Sequence, residues 1–288
     1  MKTLPPSPQF DPTVPTYDSL LAEAHLPHLE ARALLEHASG QRREWLIAHG
    51  DESASSSVAL SFRSLCARRL NGEPIAYLIG WREFYGRRFE VGPDVLIPRP
   101  ETELLIERSL RLACARARVI DLGTGSGCIA LTLACERTDL NILATDQSSA
   151  ALHIAQQNAQ RLCPDHLTDG RLQFQRSDWW EQVAPKLKFE LIVSNPPYIE
   201  RTDAHLEQGD LRFEPRMALT DENDGLRALH DIARDAASRL APGGYLLLEH
   251  GYSQGAAVSK LMREFSFVQV ETHFDAAGLT RISQAKMP

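Results

Sequence analysis

The chain has 288 residues, 43% hydrophobic and 24% charged, which is enough apolar material for one large α/β domain and a smaller partner. A formal charge of −7 argues against long-range attraction to a polyanion, so no direct nucleic-acid binding is expected. No run approaches the ~18 consecutive apolar residues of a membrane helix, and the start, MKTLPPSPQF, lacks the apolar core of a signal peptide; a cytoplasmic protein with no membrane contact is expected.

Five prolines among the first fifteen residues (Pro5, Pro6, Pro8, Pro12, Pro15) remove backbone donors and leave little to bury, so residues 1–16 are expected to be a disordered tail. Residues 17–79 carry apolar positions at helical spacing, as in Leu29, Ala33, Leu34 and His37, or Leu60, Leu65 and Leu70. A small helical domain follows, its last long helix stopped by Asn71-Gly72-Glu73-Pro74. Residues 80–92 alternate around Gly86 and are expected to form a β-hairpin linker to a domain spanning 93–288. The arginines at 63, 68, 69, 82, 87 and 88 are expected to form a solvated face.

From Arg118 onward, short apolar runs at 118–121, 141–145, 172–175, 191–194, 245–249 and 267–270 alternate with helical stretches. That alternation predicts an α/β fold with a parallel, doubly wound sheet that binds ligands beyond the carboxyl ends of its strands. The five scattered cysteines contain no C-x-x-C pair and the histidines no H-x-x-x-H or H-E-x-x-H, so no metal is expected and the thiols are taken as reduced core residues. His250 and His153 are expected to be packing or surface residues.

The first of these strands runs into Asp121-Leu122-Gly123-Thr124-Gly125-Ser126-Gly127 ahead of a helical run. Glycines allow positive φ and close backbone approach, and the helix start offers free N–H groups. The second strand ends at Asp146, 25 positions after Asp121, close to the spacing of an acid that accepts ribose hydroxyls. A nicotinamide enzyme would use the same acid, but the D-x-G-x-G-x-G spacing is similar to the first motif of S-adenosylmethionine methyltransferases. The third strand ends in Ser177-Asp178-Trp179-Trp180, where Asp178 and Trp179 can hydrogen-bond and stack on adenine while Trp180 can equally be core.

The fourth strand leads into Asn195-Pro196-Pro197-Tyr198. Two prolines stiffen the turn and carry no N–H, which leaves carbonyls free to accept. A planar NH₂ nitrogen matches the Asn195 side-chain oxygen and the Pro196 carbonyl, with the Tyr198 ring against its flat face. Both acceptors would bind more strongly as positive charge grows on a methylated nitrogen, which stabilises the transition state selectively.

From about Tyr17 to Ile282 the chain resembles the bacterial peptide chain release factor N(5)-glutamine methyltransferases, the HemK or PrmC family. The residues that carry the resemblance are GEPIAYLIGWREFYGRRFEV from Gly72, VLIPRPETE from Val95, EPRMAL from Glu214, EHGYSQ from Glu249 and DAAGLTR from Asp275, beside the more widely shared DLGTGSG and NPPY. The resemblance implies a seven-stranded Rossmann-like domain behind a helical N-terminal domain that docks the protein substrate. It implies S-adenosyl-L-methionine held by Gly123 to Gly127, Asp146 and Trp179, with Asn195 between cofactor and substrate. It also implies glutamine contacts at Asn195, Pro196, Pro197 and Tyr198, and the glutamine of a release-factor GGQ motif as the methyl acceptor. Arg99 to Glu103 match a family segment near the active site, but a helix-start role with Pro100 in its first turn explains them as well. Three other readings remain: a glutamine methyltransferase of a large-subunit ribosomal protein, an adenine N(6) methyltransferase on DNA or RNA, and a cofactor-holding module without catalysis, against which the intact Asn195 argues. A monomer is expected.

Overall fold

A computed structural model describes residues 14–288. The chain divides into two compact units, one ending at Gly80 and one spanning Trp81–Pro288. Most of the expected tail, residues 1–13, lies outside the described residues. At the end of the expected tail, the Pro15 carbonyl accepts from Ala54 N at 2.8 Å, and Thr16 pairs with Ser53.

The first unit is built from α1 (Tyr17–Glu23), α2 (His28–Ser39), α3 (Arg43–Ala48), α4 (Ser56–Leu70) and α5 (Ile75–Ile79). Side-chain oxygens start two of them, Thr16 accepting from Ser19 N at 3.1 Å and Ser55 from Val58 N at 3.3 Å. Gly40 and Gly80, both left-handed, close α2 and α5. The buried stripe is Ala31, Leu34 and Leu35 against Ala59, Phe62, Leu65 and Cys66. The expected apolar faces were therefore partly misplaced: Leu29, Leu60 and Leu70 are 72%, 68% and 57% exposed. Isolated surface leucines are common, and only the full i, i+3, i+4 stripe marks the core.

The second unit opens with β1 (Trp81–Phe84) and β2 (Arg87–Glu90), antiparallel strands joined by Tyr85 and Gly86, both at positive φ (50° and 67°). This pair of angles is the mirror-image turn whose twist matches that of paired strands. The hairpin is not a free linker. Phe84 and Phe89 are buried in the same cluster as Leu105, Ile106, Ile129 and Leu133, so it forms part of the larger unit's core. Asn158 fixes its far strand: its Oδ1 accepts from Glu90 N at 2.8 Å, and its Nδ2 donates to the carbonyls of Glu90 and Ser126, each at 3.0 Å.

The remaining elements are α6 (Thr102–Leu112), β3 (Arg118–Leu122), α7 (Cys128–Glu136), β4 (Asn141–Asp146), α8 (Ser149–Leu162), α9 (Pro164–Thr168), β5 (Leu172–Arg176), β6 (Phe189–Ser194), α10 (Arg216–Leu219), α11 (Arg227–Arg239), β7 (Leu240–Glu249), α12 (Gly255–Glu264), β8 (Val268–Phe274) and β9 (Thr280–Lys286). The sheet order is β5-β4-β3-β6-β7-β9-β8, with β9 antiparallel to both its neighbours and the rest parallel. Along β3, Val119 enters the core on one face and Ile120 and Leu122 the core on the other, so both faces are covered. Each fully buried Leu or Ile there contributes about 1.5–3 kcal/mol of transfer free energy. The chain winds outward from β3 through β4 to β5, then returns to β6 on the other side of β3, and the reversal leaves a crevice at the carboxyl ends of β3 and β6.

β9 has no counterpart among the six expected runs. Its buried residues include Ser283 and Gln284, satisfied by hydrogen bonds to His250 and Arg108, so no apolar alternation announces it. Cys66 and Cys163 are buried, but Cys114 is exposed, so not every thiol belongs to the core. Most of the clustered arginines are paired with carboxylates: Arg63 with Glu23, Arg68 with Glu73, Arg69 with Glu30 and Arg87 with Glu136. Among the described residues, no helix is long and apolar enough to cross a membrane.

Replacing Asn158 by Leu would leave the Glu90 N–H and two carbonyls without partners. We expect a loss of about 1–3 kcal/mol in unfolding free energy, measured by urea denaturation, with the midpoint lowered and the slope retained.

Candidate active site

The crevice opens as a cleft. Gly123, Thr124, Gly125, Ser126, Asp146, Asp178, Trp179, Asn195 and Pro197 all line it, so residues from four strand ends meet in one place. Gly127, Pro196 and Tyr198 are not part of its wall.

The loop after β3 reverses tightly because Gly123 and Thr124 both donate to the Thr145 carbonyl, at 2.9 and 2.8 Å. Gly123, Gly125 and Gly127 sit at φ of 75°, 56° and 83°. At Gly127 a side chain is doubly excluded, since a Cβ would stand 3.0 Å from Leu131 and 3.2 Å from Ala155. A Cβ at Gly123 would stand 3.4 Å from the Trp179 ring, so the loop backbone passes close beside that indole.

Asp121 organises the loop from beneath. Its Oδ2 accepts from the Thr124 hydroxyl at 2.6 Å and Ala130 N at 3.2 Å, while its Oδ1 has no partner among the described residues. Complete burial pushes this carboxyl up to about 7, against the pull of those two donors. Asp146, at the end of β4, accepts from Gly125 N and Ser148 N, one on each oxygen and both at 2.9 Å. Burial raises its pKa too, with the backbone donors opposing. Its second lone pairs remain available to hydroxyl donors on the cleft side.

The end of β5 separates the two tryptophans. Trp179 takes a strained φ of 42°, its carbonyl held by the Ser177 hydroxyl at 2.8 Å, and half-exposes its ring to the cleft. Trp180 is core, 5% exposed, its indole N–H donating to the Ile232 carbonyl at 3.4 Å.

At the end of β6, Asn195 faces the cleft with its Nδ2 donating to the Thr102 hydroxyl at 3.2 Å. No group among the described residues donates to its Oδ1. Tyr198 turns away from the cleft, which departs from the expected ring-on-amide arrangement: its hydroxyl donates to the buried Glu249 at 3.3 Å, and its carbonyl accepts from Gln254 at 3.0 Å. The double proline steers the chain off the strand before residue 198, and the phenol finds its acceptor at the end of β7.

The opposite wall is formed by Val95, Leu96, Pro98, Arg99, Thr102, Pro215, Met217 and Ala218. An Arg99–Glu214 ion pair joins its two segments, and Glu214 also accepts from Ile97 N at 3.0 Å. Burial raises the Glu214 pKa while Arg99 opposes the rise. Pro100 lies just before Glu101, which caps α6, in a turn closed by Thr102 N to Arg99 O, so it precedes the first helical turn instead of occupying it, while Arg99 and Thr102 line the cleft.

A family model described as the PrmC N-terminal domain matches residues 17–80, and one described as a methyltransferase small domain matches 100–210. The chain is 51% identical over 266 residues to a release factor glutamine methyltransferase of Bordetella pertussis, covering 92% of this chain and 96% of that one. It is 48% identical to one of Burkholderia pseudomallei over the whole of both chains. The chain belongs to the release factor glutamine methyltransferase family. Within this family's larger unit the fold is a general one: a methyltransferase of Pyrococcus furiosus superposes with a TM-score of 0.52 at 16% identity, covering 76% of this chain and 95% of that one.

Two site features of this family member were not assigned a role from sequence. The wall from Val95 to Arg99 and Pro215 to Ala218 lay inside the diagnostic VLIPRPETE and EPRMAL stretches, whose unusual Pro-Arg-Pro and Glu-Pro-Arg signals could have flagged a charge pair. Glu249, fully buried, lay inside EHGYSQ.

Asp121 gives a pH signature. Its carboxyl has an ordinary value of 3.8 and rises to about 7 when folded, so between those limits the folded chain holds the proton more tightly than the unfolded one. Stability contributed through this group therefore falls as pH rises across that window. Glu249, raised to about 7, adds a fall of the same sign. Asp121→Asn should make unfolding free energy visibly less steep in pH, measured by urea titrations at about pH 4.5 and about pH 7.5.

Proposed function

We propose that the chain transfers a methyl group from S-adenosyl-L-methionine to the side-chain amide nitrogen of the glutamine in the GGQ motif of a peptide chain release factor, acting in the cytoplasm. The observation that carries this reading is the placement of Asn195, with an unengaged Oδ1, on the same cleft as the glycine loop and Asp146.

The residues present fit the cofactor. Trp179, which lines the cleft, offers its ring as a flat apolar surface for adenine, and Asp146 keeps lone pairs for two ribose hydroxyls while its backbone donors hold it in place. Asp178, exposed at the cleft edge, can accept from an exocyclic amine. Bound S-adenosylmethionine supplies a methyl group activated by a sulfonium sulfur.

What the chain's own residues do follows from the weakness of the acceptor. An amide nitrogen is a poor nucleophile because its lone pair is shared with the carbonyl. Asn195 Oδ1 accepts one N–H, and the Pro196 carbonyl, although Pro196 is not itself part of the cleft wall, is the candidate acceptor for the other. Positive charge growing on the nitrogen strengthens both bonds, so they lower the barrier more than they tighten the ground state. The methylated cation is acidic enough to lose a proton without a dedicated base. Pro197, which lines the cleft where Tyr198 does not, supplies the apolar surface beside the amide.

Docking of the protein substrate is assigned to the helical unit. Leu29, Ile47, Leu60 and Leu70 are large apolar side chains left exposed on it, which suits a protein partner better than a phosphate backbone. Only a docked protein holds its loop glutamine within ~3–3.5 Å of the methyl donor, so free glutamine should react very poorly.

Two substitutions separate binding from transfer. Asp146→Ala should weaken calorimetric affinity for S-adenosylmethionine roughly 10- to 100-fold, the worth of hydrogen bonds to a charged group, with little effect on the single-turnover rate at saturation. Asn195→Ala should cut turnover by on the order of 10² and leave cofactor affinity within a few-fold.

The substrate assignment is tested with labelled cofactor and four acceptors in parallel: a release factor, its GGQ Gln→Ala variant, a large-subunit ribosomal protein, and duplex DNA. Label in the first alone is expected. Equal label in the Gln→Ala variant, or preference for the ribosomal protein or DNA, overturns the assignment. A chain shortened to begin at Trp81 should keep its cofactor affinity and lose most of its turnover of the release factor.

A further inference from the structure

Asn195 is backed by a buried carboxylate, Glu249, that does not line the cleft. β6 and β7 run parallel with Ser194 opposite Leu248, so the next residue on each, Asn195 and Glu249, emerge side by side. Thr102, at the first turn of α6, sits between them. Glu249 is 0% exposed and Thr102 1% exposed.

The hydrogen-bond inventory of this cluster is short. Asn195 Nδ2 donates to Thr102 Oγ1 at 3.2 Å, and the Tyr198 hydroxyl donates to Glu249 Oε1 at 3.3 Å. Glu249 Oε2 is buried with no partner of its own, and the Thr102 hydroxyl lies close enough to hold the carboxyl's pKa down. Within this cluster and among the described residues, the Thr102 hydroxyl hydrogen has no recorded acceptor and Glu249 Oε2 has no recorded donor.

We propose that Glu249, acting through Thr102, is a positioning residue that locks the Asn195 amide with its oxygen facing the cleft. An ionised carboxylate can only accept, so the Thr102 hydroxyl must spend its single hydrogen on Glu249 and can then only accept from Asn195. Asn195 must therefore present its NH₂ to Thr102 and its Oδ1 to the substrate. The flipped amide would set two oxygens against each other with no hydrogen between them. A protonated Glu249 removes the lock: it can donate to Thr102, whose own hydrogen is then free to satisfy a flipped Asn195. The inference rests on the reading of Asn195 as the amide's acceptor.

Protonation of Glu249 falls in an accessible range. Burial pushes its carboxyl up to about 7, opposed first by Thr102 and then by Tyr198. The other groups that face it are Glu101 at the start of α6, which raises it, Arg281 on β9, which lowers it, and the neutral Cys128 thiol on α7. The lock is thus about half engaged near pH 7, completes as pH rises above that and fails as pH falls below it.

The test uses the full chain with S-adenosylmethionine and a release factor, measuring kcat, KM and cofactor affinity across pH for wild type, Thr102→Val, Thr102→Ser, Glu249→Gln and Asn195→Ala. Thr102→Val, which keeps the shape but not the hydroxyl, should lose on the order of tenfold in kcat, the worth of one charge-assisted hydrogen bond, with cofactor affinity within a few-fold. Thr102→Ser should restore kcat. Wild-type kcat should fall on the acid side of about pH 7, and that limb should vanish in Glu249→Gln, whose kcat is low at every pH. Wild-type kcat in Thr102→Val, failure of Thr102→Ser to restore it, or an acid limb retained in Glu249→Gln overturns the proposal. Should Asn195→Ala be inactive while Thr102→Val is fully active, the positioning role alone fails. Full activity of Asn195→Ala instead removes the acceptor reading beneath it.

Discussion

The side-by-side pairing of β3 with β6 is the constraint on which the site depends. These strands are neighbours in space but separated in sequence by two complete strand–helix excursions, and their register sets Leu122 beside Ser194. The Ser194 hydroxyl donates to the Leu122 carbonyl at 2.6 Å, fastening the two ends where both chains leave the sheet. One exit becomes the glycine loop and the other the Asn-Pro-Pro turn. Neither could move relative to the other without breaking a buried bond and the parallel ladder behind it. The transfer geometry is thereby borrowed from the sheet, the stiffest part of the fold, rather than assembled from mobile loops.

Much of this was legible in the sequence because the chemistry needs unusual residues at fixed offsets. Alternating glycines, an acid one strand later, and an asparagine before two prolines each mark a strand end, and the structure brings them to one cleft. What escaped was of two kinds. Strand β9 hides because two of its four buried positions, Ser283 and Gln284, are polar and satisfied by His250 and Arg108, so hydropathy gives no period to read. Tyr198 was expected in the cleft because it is adjacent in sequence to cleft residues. The deciding fact was a buried carboxylate on a different strand, an acceptor that no local pattern reveals. The hairpin was expected as a linker on the strength of its position between two compositions. Its inward phenylalanines, Phe84 and Phe89, placed on either side of a mirror-image turn, were the signal that it packs as a core element.

Buried carboxylates recur around the site at Asp121, Glu214 and Glu249, each with a pKa raised first of all by burial. Each has a distinct structural partner: a loop hydroxyl and helix N–H, an arginine on the facing wall, and the two hydroxyls behind Asn195. Desolvating three acids in one domain opposes folding, and apolar residues of similar size would suit stability better. Their common location argues that they are kept for the orientation they impose on neighbouring dipoles.

Asn158 ties together two segments, the outer strand of the hairpin at Glu90 and the glycine loop at Ser126. A single side chain that satisfies both makes their openings one event: the hairpin edge cannot fray without freeing the loop carbonyl, and the loop cannot open without loosening the strand. In the language of native-state fluctuations the two belong to one cooperative unit. Amide protection at Glu90 then reports on the breathing of the loop that faces the cleft. Any ligand that orders that loop would slow exchange at the hairpin without touching it.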